Sequence, residues 1–150
     1  MVCLHHGDWK DTAIANIGSP TRAIKVAPGI TQAILDQGVV LAFQRLLSQD
    51  FQLPWTSTDP PPSLMVDKLV TIGKMVIYMV LADGTNPNGG VWSPSETKFR
   101  YIIIPGGIAV GRVASNNGEK MATINGTVYS ESQLKKMSYQ QVCRLLKIQE

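Results

Sequence analysis

His5 and His6 are the only imidazoles in the sequence, so a Ser-His-Asp or Cys-His mechanism would have to run through the N-terminus. They belong to Cys3-Leu4-His5-His6-Gly7-Asp8, the one cluster whose residue types suit zinc or nickel. Thiolate, imidazole and carboxylate are sound ligands. A glycine-flexed terminus does not preorganise them, however, and no second histidine pair stands elsewhere to complete a site. No metal and no cofactor is expected, and triad hydrolysis is disfavoured.

Glycoside hydrolysis asks instead for two carboxyl groups about 5–9 Å apart, one of them in a setting that raises its pKa. The eleven acids are scattered, and Asp36, Asp50, Asp59 and Asp83 stand in turns and caps, where carboxylates are solvated. Pro105-Gly106-Gly107-Ile108-Ala109-Val110-Gly111 has the glycines of a phosphate loop without its lysine-threonine ending or a capped helix, and reads as a strand kink. Asn125-Gly126-Thr127 spells a glycosylation sequon. Aromatic faces stack on sugars, so Trp9, Trp55 and Trp92 form a candidate carbohydrate platform, with Trp55 and Trp92 and their loops singled out as ligand-binding residues. The same tryptophans serve equally as core and interface filler. The chain is therefore read as non-catalytic.

The elements that must position these residues follow from composition and pattern. A chain of 150 residues with 44% hydrophobic and 17% charged residues makes one globular domain, and 13 glycines with 9 prolines suit short strands and many turns. The net charge is +3; the last twenty-one residues carry Lys135, Lys136, Arg144 and Lys147 against Glu131 and Glu150. Those basic positions read as a solvated helix face, which argues against a nucleic-acid partner. Cys3 and Cys143 make no disulfide framework and no C-x-x-C motif, and Cys143 reads as a small buried hydrophobe. Met1 to Asp8 lacks the basic start and apolar run of a signal peptide, and the longest apolar segment, Met75 to Ala82, is too short to cross a membrane as a helix.

Residues 1–22 read as an irregular, polar segment anchored by Trp9, Ala23 to Val26 as a short strand, Ile30 to Gly38 as one or two helical turns with a glycine stop, and Val39 towards Leu47 as a β-branched run. Phe51 to Trp55 alternates as a half-buried strand until Pro54 interrupts it, and Thr56 to Pro62 is a proline-stiffened exposed loop. Leu64 to Ile72 and Met75 to Leu81 flank Gly73-Lys74, which predicts a tight hairpin with glycine first in the turn; the first arm, with Asp67, Lys68 and Thr71, should be the more exposed, and the second, almost wholly apolar arm should lie centrally in its sheet. Lys98 to Ile104 is a further strand, Ile108 to Ala114 a continuation of it, and Met121 to Val128 is ambiguous. Ser130 with Gln133 and Ser138 with Gln141 each spell a capping box, predicting helices near 131–137 and 139–147.

Trp9, the run Ile30 to Leu41, Gln52-Leu53-Pro54, Ile72 to Tyr78, Phe99 to Gly107 and the closing Met137 to Val142 with Leu145-Leu146 together resemble one family. It is the C-terminal globular domain of uncharacterised secreted proteins and lipoproteins of Bacteroidota, which often follows a collagen-like Gly-X-Y stalk. The resemblance covers most of residues 9–148. It implies the cell envelope or the exterior as location and brings no catalytic residue with it. A collagen stalk would gather three heads, so a homo-oligomer, trimeric in that arrangement, is implied.

The expected fold is mainly β: an antiparallel β-sandwich or barrel-like body of about seven to nine strands, with two short C-terminal helices covering an edge or open end. The expected function is a structural or binding domain of the surface, assembling with itself or holding a surface protein or glycan, with a carbohydrate-binding module as the alternative and an envelope hydrolase behind both.

Overall fold

The computed structural model describes residues 5–6, 10–11, 14–15, 21–46, 48–57, 63–83, 97–106 and 119–149. Two long strands, β5 (Val39–Leu46) and β10 (Thr97–Ile104), pair antiparallel along their whole length and form the middle of the first sheet. Nearly every residue between Val39 and Gln44, and between Phe99 and Ile104, is buried. Successive strand side chains point to opposite faces, so runs without alternation must be covered on both sides. Both covers are present. Ala42, Phe99, Tyr101 and Ile103 join the core shared with the second sheet, while Val39, Leu41, Phe43, Ile102 and Ile104 belong to a separate core beneath the C-terminal tail.

The first sheet is completed by β6 (Gln49–Gln52) on β5, and by β1 (His5–His6) and β2 (Lys10–Asp11) along β10. The second sheet runs β3 (Ile14–Ala15), β4 (Thr21–Val26), β9 (Lys74–Leu81), β8 (Leu64–Thr71) and β7 (Trp55–Ser57), all antiparallel. As the apolar run of Met75 to Leu81 required, β9 sits between two partners. Its Met75, Ile77 and Met79 face the first sheet with Ala23 and Val66. The chain passes from one sheet to the other between β6 and β7 at Leu53–Pro54, whose peptide bond is cis. Leu53 still donates its amide to the Ala42 carbonyl at 2.8 Å, so the crossing starts one residue past β6. β7 takes in Thr56 and Ser57, which the sequence assigns to the proline loop; residues 58–62 lie outside the described ones. Among the described residues the ladders form separate sheets, a sandwich-like body and not a closed barrel.

The third layer is the tail. β11 (Met121–Ile124) and β12 (Thr127–Ser130) form a hairpin, followed by α2 (Glu131–Leu134) and α3 (Tyr139–Leu146). Both expected capping boxes form: Ser130 and Ser138 accept from the amides of Gln133 and Gln141, whose side chains accept in return. Such a cap is worth about 1 kcal/mol, and a helix as short as α2 could not stand without it and its packing. Beyond the expected covering of an edge and an open end, the helices cover a whole sheet face. Leu134, Tyr139, Val142, Cys143 and Leu146 pack on the outer face of β5 and β10, because those strands present a second apolar row that must leave water. With its amide oriented to suit its neighbours, Gln52 of β6 donates to the carbonyls of Lys135 and Met137 at 2.9 and 2.8 Å.

Two turns differ from the sequence reading. In the β8–β9 hairpin Thr71 pairs with Lys74, so the turn residues are Ile72-Gly73 and glycine takes the second position, at φ +73°. Asn125-Gly126 closes β11 onto β12 with φ +50° and +81°, the left-handed pair of a type I′ turn. The sequence stretch left ambiguous is thus a hairpin, and the sequon spelling is first of all a turn signal. The short helix α1 (Gln32–Gln37) runs from a Thr31 cap to Gly38, whose amide donates to Ile34 at 2.9 Å. The expected strand Ile108 to Ala114 lies outside the described residues, as does Cys3, while Cys143 is buried.

Candidate functional site

A partly enclosed cleft follows from how short β6 and β7 are. β6 pairs with β5 only from Phe43 to Leu46, and β7 with β8 only from Leu64 to Val66. Beyond them the corner between the two sheets stays open next to Val40 of β5 and Lys68 and Val70 of β8. α1 and α2 close it from the sides, leaving a cavity of about 310 Å³ lined by Ile34, Leu35, Gly38, Val40, Lys68, Val70, Lys120, Glu131 and Lys135. Ile34, Leu35, Val40 and Val70 are the partly buried fringe of the core between the sheets, so one wall is aliphatic. The other is cationic. Lys68 donates its ammonium to the Leu53 carbonyl at 2.6 Å, Lys120 donates to the Leu35 carbonyl at 2.5 Å, and Lys135 pairs with Glu131 at 2.7 Å.

Three ammonium groups and the Glu131 carboxylate thus line one cavity, and Asp67 also acts on Lys68. Burial, above all, pushes Lys68 below the usual lysine range; Lys135 adds to the fall, and Asp67 and Glu131 oppose it. The two carbonyl partners accept one proton from each of Lys68 and Lys120 and, being neutral, bring no countercharge of their own. In sequence Lys68 reads, with Asp67 and Thr71, as a mark of the more exposed hairpin arm, whereas it stands on the inner face of β8. The signal that might have marked it is parity: Lys68 shares the inward register of Val66 and Val70.

A second feature is the outer face of the second sheet. Register places Ile24, Val76 and Leu69 in one row across β4, β9 and β8, with Val26, Lys74 and Thr71 in the next and Arg22, Tyr78 and Asp67 in the row before. Ile24 is 48% exposed, Leu69 57%, Val26 74% and Ile72 59%. A contiguous aliphatic row left open on a strand face marks a contact surface more than scattered residues do. Asp67 accepts from the Tyr78 hydroxyl at 3.0 Å at one end of its row, and Arg22 is exposed at the other. Desolvation first, then Asp67, raises the Tyr78 pKa.

Trp55, the predicted sugar-stacking residue, is half-buried. Its ring stacks on Phe51 at 4.9 Å, its indole N–H donates to Gln44 at 2.7 Å, and it packs against the core between the sheets. Trp92, Trp9, Cys3 and Asp8 lie outside the described residues; His5 and His6 form β1. Among the described residues no three His, Cys, Asp or Glu side chains gather as a metal group, and no helix is long and apolar enough to cross a membrane.

One carboxylate departs from the solvated reading. The Asp50 side chain is only 4% exposed and takes a two-pronged bond from Arg45 at 2.7 and 2.9 Å, with Gln140 at 3.4 Å. Asp36 accepts from Gln32, Glu131 from Lys135, and Glu119 from Ser132, whose hydroxyl first and amide second lower the Glu119 pKa. These acids are spread over different sheets and helices and tied to separate partners. No family model, curated protein or solved structure matches the chain.

Proposed function

We propose that the chain is a non-catalytic binding head, of the envelope or exterior as its family resemblance implies, that works by assembling with a second copy of itself. The observation carrying this reading is the open aliphatic row Ile24–Val76–Leu69, flanked by Val26 and Ile72. Its electrostatic frame suits a like surface. A two-fold axis lying along β9 sets Ile24 of one copy over Leu69 of the other and brings exposed Arg22 over the partner's β8 at the row of Asp67. Such an interface is isologous, each patch serving itself. On a three-headed stalk it would join heads of neighbouring stalks. The separate tethering of the described carboxylates supports the non-catalytic part of the reading.

The test is light scattering over a wide concentration range. A dimer mass at high concentration is expected for the wild type. Ile24→Glu with Leu69→Glu should weaken association by about a hundredfold or more, because each aliphatic anchor contributes about 1.5–3 kcal/mol when fully buried. A strict monomer throughout, or unchanged association in the double variant, ends the proposal.

The second reading, a carbohydrate-binding module, is favoured by the stacked Phe51–Trp55 pair, although the Trp55 N–H is already engaged. It predicts glycan-array signals that fall at least about tenfold in Trp92→Ala, since an aromatic platform is a dominant contact. An empty array, or signals indifferent to Trp92→Ala, removes it.

A further inference from the structure

The open corner of the sandwich is a different surface from the proposed assembly face, and its chemistry is unlike any other part of the described molecule. Its aliphatic side is made by Ile34 and Leu35 of α1, Val40 of β5 and Val70 of β8, the fringe of the core between the sheets. Its polar side is lined by Lys68, Lys120, Lys135 and Glu131. Lys135 and Glu131 satisfy one another, one helical turn apart. Lys68 and Lys120 each give one proton to a backbone carbonyl and keep two for another acceptor. A cation held partly out of water beside neutral acceptors is costly, and an anion placed between two of them recovers part of that cost.

We propose that this cleft binds a small aliphatic carboxylate, its head against the lysine ammonium groups that line the polar side, Lys68 and Lys120 among them, and its chain against Ile34, Leu35, Val40 and Val70. The cavity of about 310 Å³ stands at the small end of ligand pockets and fits a short chain. A doubly charged inorganic ion would satisfy the lysines and leave the aliphatic wall wet. A neutral apolar molecule would cover the wall and leave the lysines as they are. Only an amphiphilic anion uses both sides.

Octanoate is the probe, with 1-octanol as the same chain without charge and sulfate as charge without chain. Calorimetric or NMR titration should give one saturable octanoate site per chain with Kd of about 0.1–1 mM, the range open to a ligand of this size. Methyl signals of Ile34, Leu35, Val40 and Val70 should shift and those of Ile24 and Leu69 should not. 1-Octanol should bind at least about tenfold more weakly, and Lys68→Met and Lys120→Met should each cost about tenfold, the usual worth of a charged hydrogen bond. Lys136→Met, on an exposed position away from the cavity, should leave affinity unchanged. Should Lys68→Met fail to fold, Lys120→Met alone decides. No saturable octanoate binding, equal binding of 1-octanol, displacement by equimolar sulfate, wild-type affinity in the lysine variants, or shifts confined to other methyl groups each overturn the proposal. The double variant of the assembly face should bind octanoate as the wild type does, so the two proposals fail separately.

Discussion

Tyr139→Ala is expected to lower the free energy of unfolding by about 4 kcal/mol, the range for deleting a buried aromatic ring. Tyr139 is 1% exposed and opens α3 directly after its Ser138 cap. Its ring meets Phe43 edge to face at 5.1 Å, with the guanidinium groups of Arg45 and Arg100 at 5.8 and 5.6 Å from its centre. Its hydroxyl accepts from Arg100, itself 4% exposed, which also donates to the Gln149 carbonyl at 3.0 Å. The alanine variant removes the ring, two cation–π contacts and one acceptor of a buried cation together. Tyr139→Phe keeps the ring and should lose about 1–2 kcal/mol, the share of the hydroxyl. Urea unfolding of both variants measures the difference. A loss below about 1 kcal/mol in Tyr139→Ala would mean that the third layer does not depend on this ring.

Gly106→Ala should cost about 3 kcal/mol, the upper part of the overpacking range. A Cβ added there would meet the Gln37 carbonyl oxygen at 2.0 Å and its carbon at 2.6 Å. Both are backbone atoms at the end of α1. They cannot swing aside as a side chain does without disturbing the Gly38 turn into β5. Gly126→Ala is the contrast: nothing lies within 4 Å of its Cβ, and only its left-handed backbone opposes the change, at about 1 kcal/mol. Thermal and urea unfolding of the pair should therefore separate them by about 2 kcal/mol. Equal losses would show that α1 yields, and that the close approach of β10 to α1 does not constrain the fold.

Much of this architecture is legible locally. The unalternating runs at Val39–Phe43 and Phe99–Ile104 announce strands covered on both faces, and the serine-glutamine pairs announce both tail helices, since a cap is made by residues three apart. The Asn125-Gly126 turn is equally legible, since that dipeptide favours a type I′ hairpin turn. Gly106 reads only as a kink in sequence, whereas its reason is the Gln37 backbone, far away along the chain. Asp50 reads as a solvated turn residue because nothing local shows that Gln140 and the tail will lie over it.

The periodicity of apolar side chains and the turn and cap residues, all interactions within a few positions, mark the long strands and the capped helices. Which face the tail covers, and that Lys68, Lys120 and Lys135 meet over an aliphatic wall, depend on strand order and register. The bond from Lys120 to the Leu35 carbonyl joins positions 85 apart, and no local preference can select such a pairing before the sheets have closed on one another.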